Sequence, residues 1–228
     1  MTSDRHQLDS FIRESLDRPA IAAFMAEAAE AIPPGARVLD AGAGLSPYRE
    51  LFSHTRYTAS DWEHSPHEAE VDLLAPLDAL PVPDESFDEI LNTQVLEHVP
   101  DPAAAIRELY RVLVPGGRLW LTAPLVWELH EEPFDFFRYT AHGLERLLGG
   151  AGFLDLRIEP LGGYFTTLGQ IVRNAPGITG RGGPGDSLTS RGLAALAWHG
   201  GPLLARLDRF DRRRVLPLGY RCVATRGS

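Results

Sequence analysis

Gly42 and Gly44 interrupt an apolar run, Val38-Leu-Asp-Ala-Gly-Ala-Gly-Leu-Ser-Pro47, and Asp61 follows at a distance. Bare main chain at such a joint lets a ligand rest against the backbone. An acid about twenty residues further on, at the end of the next strand, accepts hydrogen bonds from ribose hydroxyls, so the pair suits an adenosine-containing ligand. A nicotinamide fingerprint, G-x-G-x-x-G, needs a glycine where Pro47 stands, which weakens that version of the site.

The second group is Val126-Trp-Glu-Leu-His-Glu-Glu-Pro-Phe-Asp-Phe-Phe-Arg-Tyr-Thr140. It mixes His130, Glu131, Glu132, Asp135 and Arg138 with Trp127, Phe134, Phe136, Phe137 and Tyr139. Aromatic walls with a few polar groups describe a small-molecule pocket. Histidine is the side chain best suited to take a proton near neutral pH. The competing account of the same residues is structural: Asp135 and Arg138 as an i, i+3 pair, the aromatics as core, and His130 bonding a backbone group. His98, in Leu96-Glu-His-Val99, has the same two readings, catalytic or holding a loop.

Other chemistries find little support. No metal site is assigned: Glu63-His64-Ser-Pro-His67-Glu68 reads as a solvated loop, and Cys222 stands alone. His130-Glu131 is followed by Phe at position 134, so no H-E-x-x-H forms, and G-x-S-x-G and the P-loop lysine are missing too.

Elements that would position these groups follow from pattern. Arg18–Ala31 is dense in helix formers with Pro19 in its first turn, and Pro33-Pro34-Gly35 ends it. Arg37–Asp40 reads as a buried strand, Pro47–Phe52 as a helix capped by Ser46, and Tyr57–Ser60 and Phe87–Asn92 as strands. Asp101-Pro102 opens a helix carrying Ile106, Leu109, Tyr110 and Leu113, stopped by Pro115-Gly116-Gly117. Arg118–Ala123 is a strand, and Thr140 caps a helix closed by Gly149-Gly150. Phe153–Glu159 and Leu218–Thr225 are late strands separated by helical Gly163–Asn174 and Leu188–Phe210, with a loop over 175–187. Strands alternating with helices predict an α/β fold with a parallel sheet covered on both faces.

A chain of 228 residues with 44% hydrophobic and 23% charged residues is that of a globular protein. Its net charge of −9 disfavours a nucleic-acid surface, and no basic-then-apolar leader or long apolar run is seen, so a cytoplasmic protein is expected.

Residues 38–44, Asp61, Leu80-Pro-Val-Pro-Asp-Glu-Ser-Phe-Asp-Glu-Ile-Leu-Asn-Thr-Gln-Val-Leu-Glu-His-Val-Pro-Asp-Pro102 and Glu108–Pro124 together resemble a class I S-adenosylmethionine-dependent methyltransferase of the small-molecule, methyltransferase type 11-like bacterial branch. The similarity runs from about residue 36 to 160, and Leu218–Arg226 resembles the closing strand. The resemblance implies a Rossmann-like seven-stranded sheet with an antiparallel last strand. It implies S-adenosyl-L-methionine as cofactor, S-adenosyl-L-homocysteine as product, and a small-molecule acceptor, more in keeping with oxygen than nitrogen or carbon. Asp40, Ala41, Gly42, Gly44, Tyr48, Asp61, Trp62, Leu77, Asn92, Thr93, Gln94 and His98 are the implied cofactor residues. One departure is Pro76, where relatives often place an acid for the adenine amine; Leu77, Asp72 or Asp78 would stand in. The acceptor would meet Trp127, His130, Phe134, Phe137, Arg138, Tyr139 and Tyr164, with His130, Glu131 or His98 as catalytic groups. Phe165, Gln170 and Arg173 are further candidates.

One domain over 1–228 is expected: an N-terminal helical segment 1–35, a cofactor-binding core 36–160, a helical insert or lid 161–212 and a closing strand 213–228. The insert reads either as a roof over the acceptor or as a homodimer or membrane-surface face, because Leu193, Leu196, Ala197, Leu203, Leu204 and Leu207 form an apolar stretch. Two rival functions stand beside methyl transfer: a protein that binds the cofactor without transferring its methyl, and a nicotinamide oxidoreductase.

Overall fold

A computed structural model describes residues 12, 15–65, 71–178 and 188–227. Its frame is a seven-stranded sheet in the order β3-β2-β1-β4-β5-β7-β6. The strands are β1 (Arg37–Ala41), β2 (Arg56–Asp61), β3 (Leu73–Leu74), β4 (Phe87–Thr93), β5 (Leu113–Pro124), β6 (Phe153–Leu161) and β7 (Gly219–Arg226). β3, β2, β1, β4 and β5 run parallel, and the last strand, β7, is antiparallel, as the resemblance implies, and lies between β5 and β6.

Parallel strands must be covered on both faces, and two apolar clusters do so. On one face, helix α1 (Arg18–Ala31) sets Phe24, Met25 and Ala28 against Val38, Leu91 and Trp120. On the other, α2 (Pro102–Val112) and α3 (Ala141–Ala151) bury Ile106, Leu109, Leu144 and Leu148 against Leu39, Ile90 and Leu121. Asp101 caps α2, its Oδ1 accepting from the Ala104 N–H at 2.9 Å, and Thr140 caps α3 by accepting from Gly143 N–H at 3.1 Å.

Helix ends differ from expectation in two places. α2 stops at Val112, because Leu113 already pairs with Phe87 of β4, and Pro115-Gly116-Gly117 falls within the irregular start of β5. There Gly117 is packed so tightly that a Cβ would lie 2.7 Å from the Asp88 carbonyl. α3 runs through Gly149-Gly150 and ends at Gly152, whose φ of 102° supplies the left-handed residue that closes a helix.

The insert folds as α4 (Tyr164–Ile178) and α5 (Leu188–Ala205), followed by a 3₁₀ turn at Arg206–Phe210. Residues 179–187 of the expected loop lie outside the described residues, and 175–178 belong to α4. The two helices approach at Gly169 and Gly201, where a Cβ on Gly169 would sit 2.5 Å from the Gly201 carbonyl oxygen. Asp208 and Asp211 accept from the first N–H groups of α4, fixing its start. Leu196, Trp198 and Leu203 of α5 are exposed. Among the described residues no helix is long and apolar enough to cross a membrane.

Candidate functional site

The carboxyl ends of β1, β2 and β4 open into a crevice of about 410 Å³, a size that suits a small-molecule ligand. Its first wall is the glycine joint. Gly42 and Gly44 have φ of 80° and 52°, and the N–H groups of Gly42 and Ala43 both donate to the Ser60 carbonyl at 2.9 Å. A Cβ on Gly42 would lie 2.5 Å from the Val95 methyls. Sterics and backbone therefore both demand glycine there.

Asp61 is fixed by three donors. Its Oδ2 accepts from Gly44 N–H and Ser65 Oγ, each at 3.0 Å, and its Oδ1 from Trp62 N–H at 2.8 Å. Its carboxylate still lines the crevice, beside Tyr48, Trp62, Leu77, Pro76 and Asp78. Asp72 faces elsewhere, accepting from Ala59 N–H at 2.8 Å.

The helix expected over 47–52 does not form. Ser46 takes a φ of 51° instead of capping, and only a 3₁₀ turn, Arg49–Phe52, follows. The reason is the joint itself, which folds back through Ser46 N–H to the Ala43 carbonyl at 2.7 Å and spends the residues a first helical turn would need. A ligand's anionic end would meet loop N–H groups here without a helix dipole behind them.

Asp40, Ala41 and Asn92 stand behind this wall. Asp40 is buried and accepts from the Tyr57 hydroxyl; burial, with the charge of Asp61 adding, pushes its carboxyl up to about 6, against the lowering effect of Tyr57. Asn92 Nδ2 donates to the Ala41 carbonyl at 2.8 Å and ties β4 to β1. None of the three lines the crevice.

The opposite wall carries Thr93, Gln94, Val95, Glu97, His98, Trp127, His130 and Glu131. Gln94 and Glu131 adopt φ of 56° and 54°, a conformation L-residues hold only when the surroundings fix it. For Gln94 the fixing groups are in β5: its N–H donates to Thr122 O at 3.1 Å and its Nε2 to Thr122 Oγ1 at 3.0 Å. The 3₁₀ turn Leu96–His98 is gripped from behind by the aromatic segment. Tyr139 hydroxyl donates to Leu96 O at 2.8 Å, the Phe136 and Phe137 N–H groups donate to Glu97 O at 2.9 and 3.2 Å, and His98 Nδ1 lies 2.7 Å from Phe134 O.

Phe134, Phe137, Arg138 and Tyr139, expected on the acceptor pocket, thus do not line the crevice; Phe134, Phe137 and Tyr139 support the turn that does, while Arg138 ties the 127–137 loop to itself. Arg138 forms two hydrogen bonds to Asp135, at 2.5 and 2.8 Å, and holds that carboxyl well below the usual range, while Asp135 also accepts from His130 N–H at 3.0 Å. The ring of Phe134 packs edge-on to Trp62 at 4.9 Å and stacks on His64 at 5.8 Å, joining the two walls. Glu63 and His64 are exposed, and His67 and Glu68 lie outside the described residues.

Tyr164 begins α4 and sits away from the crevice, as do Phe165, Gln170 and Arg173; among the described residues no part of 161–178 or 188–212 lines it. The insert acts one step back: Gln170 Oε1 accepts from Leu16 N–H at 2.7 Å, bracing the segment whose Ser15, Asp17 and Arg18 do line the crevice.

Glu97 is the principal residue that pattern reading passed over. It is 1% exposed, burial pushes its carboxyl up to about 8, and its Oε2 has no hydrogen-bond partner among the described residues. A charged residue between Leu96 and Val99, both buried, was the available signal.

Residues 39–121 match the family model described as a methyltransferase domain. Over part of its length the chain is thus similar to S-adenosylmethionine-dependent methyltransferases. A Mycobacterium tuberculosis protein named "Probable S-adenosylmethionine-dependent methyltransferase" is 38% identical over 90 residues, 37% of this chain and 33% of that protein. The ubiquinone biosynthesis O-methyltransferase of Xanthomonas campestris is 33% identical over 109 residues, 42% of this chain and 46% of its own length. The chain thus spans about a third to a half of these curated relatives. Among solved structures, a SAM-dependent methyltransferase of Archaeoglobus fulgidus superposes with a TM-score of 0.59 at 16% identity, covering 91% of this chain and 94% of that one. The [4+2]-cyclase SpnF gives 0.57 at 22%, covering 92% and 81%. These last two are likenesses of fold, and the matched region, 39–121, contains Gly42, Gly44, Asp61 and Glu97-His98 but stops short of His130.

Proposed function

We propose that the chain transfers the methyl group of S-adenosylmethionine to a hydroxyl of a small-molecule acceptor, of the secondary-metabolite or glycan-precursor class, in the cytoplasm. The observation that carries this is one crevice with two walls, a glycine-and-aspartate wall suited to the cofactor and a histidine wall suited to proton removal. The lining also fits the cofactor's charge. Among the described residues, Asp17, Asp61, Asp78 and Glu131 face it with Arg18 as the one basic side chain other than histidine, and a sulfonium with an ammonium group is cationic.

When bound, the cofactor supplies an electrophilic methyl. The chain's residues do the rest. Gly42 and Gly44 admit the methionine end against bare backbone, and Asp61 takes the ribose hydroxyls. Trp127 helps exclude water beside the acceptor. His130 or Glu131 accepts the hydroxyl proton, and His98 orients the group beside it. Holding acceptor oxygen and methyl carbon about 3–3.5 Å apart supplies much of the rate. Residues 36–160 form the cofactor core in this account, and 161–212 brace its N-terminal lip.

Incubation with methyl-labelled cofactor and a panel of hydroxylated acceptors tests it. Label in an ether-linked product, reduced in Glu131→Gln, supports the assignment. S-adenosylhomocysteine binding without label in any product would instead make the protein a cofactor-binding module.

A further inference from the structure

We propose that Glu97, His98 and His130 form a binding site for one divalent transition metal, of the zinc class, on the histidine wall of the crevice. One ligand atom from each of the three lies within 4.8 Å of the others. Two imidazoles and a carboxylate are a donor set that borderline divalent metals favour, and three protein ligands leave a position open for an oxygen.

Three independent features aim these atoms at a shared ion. The Oε2 of Glu97 is buried in the crevice wall with no donor among the described residues, a costly arrangement for a carboxylate that a cation relieves. His98 Nε2 stands 3.9 Å from Glu97 Oε1, too far for a hydrogen bond, and a side-chain shift of roughly half an ångström brings the pair to the spacing of two ligands on one tetrahedral ion. The third feature is tautomer. The Phe134 carbonyl can only accept, so the 2.7 Å contact requires His98 Nδ1 to carry the proton, leaving the Nε2 lone pair facing the crevice.

His130 is arranged in the same way. Its Nδ1 lies 3.2 Å from the Glu128 carbonyl and 3.4 Å from Asp135 Oδ2, both acceptors, which leaves Nε2 as the ligand. The two rings meet edge to face with centroids 4.7 Å apart. Supporting acceptors behind both histidines are what orient imidazoles toward a metal, and here they come from one loop, 128–135. His98 and His130 are far apart in sequence, which is why spacing alone assigns no metal here.

The open coordination position faces the crevice. An acceptor hydroxyl bound there would have its pKa lowered. Glu131, with Oε2 3.9 Å from His98 Nε2, then remains to take the proton. The metal site stands apart from methyl transfer; only this role rests on that reading.

The test is to strip the full chain with a chelator and titrate it with Co²⁺, following visible absorption, and with Zn²⁺ in competition with a chromophoric chelator. One equivalent should bind, and Glu97→Gln, His98→Ala and His130→Ala should each weaken binding at least about tenfold. His142→Ala, on the exposed face of α3, should leave it unchanged. His130 lies on a loop, so its substitution spares the core and decides the matter should His98→Ala fail to fold. Absence of a Co²⁺ band with weak Zn²⁺ binding, or binding that survives His130→Ala and Glu97→Gln, overturns the proposal. S-adenosylhomocysteine titrated into the same samples separates this failure from failure of the cofactor site.

Discussion

The two walls of the crevice are built by different means. The glycine wall is local: Gly42, Gly44 and Asp61 lie at the ends of adjacent parallel strands, and their hydrogen bonds stay within residues 42–75. The histidine wall is assembled at a distance, its turn at Leu96–His98 held by Phe134, Phe136, Phe137 and Tyr139 from beyond β5. A local wall presents fixed backbone donors, whereas a wall gripped from behind can change its facing side chains while its support persists. In the proposed account, cofactor recognition is assigned to the first and acceptor chemistry to the second.

The largest effect expected on this contrast is at Gly42. Gly42→Ala combines a left-handed backbone with a Cβ pressed on Val95 and should lower stability by about 3 kcal/mol, read by urea denaturation. Gly35→Ala, at a similar φ of 78° with nothing within 4 Å, should cost only about 1 kcal/mol; equal losses would show that crowding by the far wall is unimportant.

On the histidine wall, Tyr139→Phe leaves the Leu96 carbonyl only the longer 3.4 Å bond from Val99 N–H and should cost about 1 kcal/mol. Because it loosens the turn, turnover should fall while S-adenosylhomocysteine affinity holds. A fall in both would mean the walls are not separable.

A smaller effect is pH dependence behind the glycine wall. Asp40 has its carboxyl raised from 3.8 to about 6 by burial, so it favours the folded state most when protonated. That contribution is full below about 3.8 and is lost as pH rises through about 6. Asp40→Asn should therefore flatten the melting temperature across that window relative to wild type. An unchanged slope would show that the Tyr57 hydrogen bond offsets burial and leaves this carboxyl in its ordinary range.

What was legible in the sequence follows the same division. Most strands and the glycine joint could be read because apolar runs, turn residues and the Gly42-to-Asp61 spacing are local signals, reinforced by a family resemblance; the two-residue β3 could not. The helix after the joint could not, because Ser46 looks like a cap until the tight Ala43–Ser46 turn takes its place. Phe134, Phe137 and Tyr139 read as pocket walls by composition, yet their hydrogen bonds run to a turn some forty residues earlier, which no periodicity reports. Glu97 was hidden for the opposite reason: charged residues are usually solvated, and this one is buried. The insert's apolar residues gave its helices but not its distance from the crevice.

The most direct test of the central claim is calorimetric titration of S-adenosylhomocysteine into wild type and Asp61→Ala. The account predicts micromolar binding, about −8 kcal/mol, that weakens at least about tenfold in the variant while its fold is retained. Folded wild type that does not bind, or a variant that binds equally well, would contradict it.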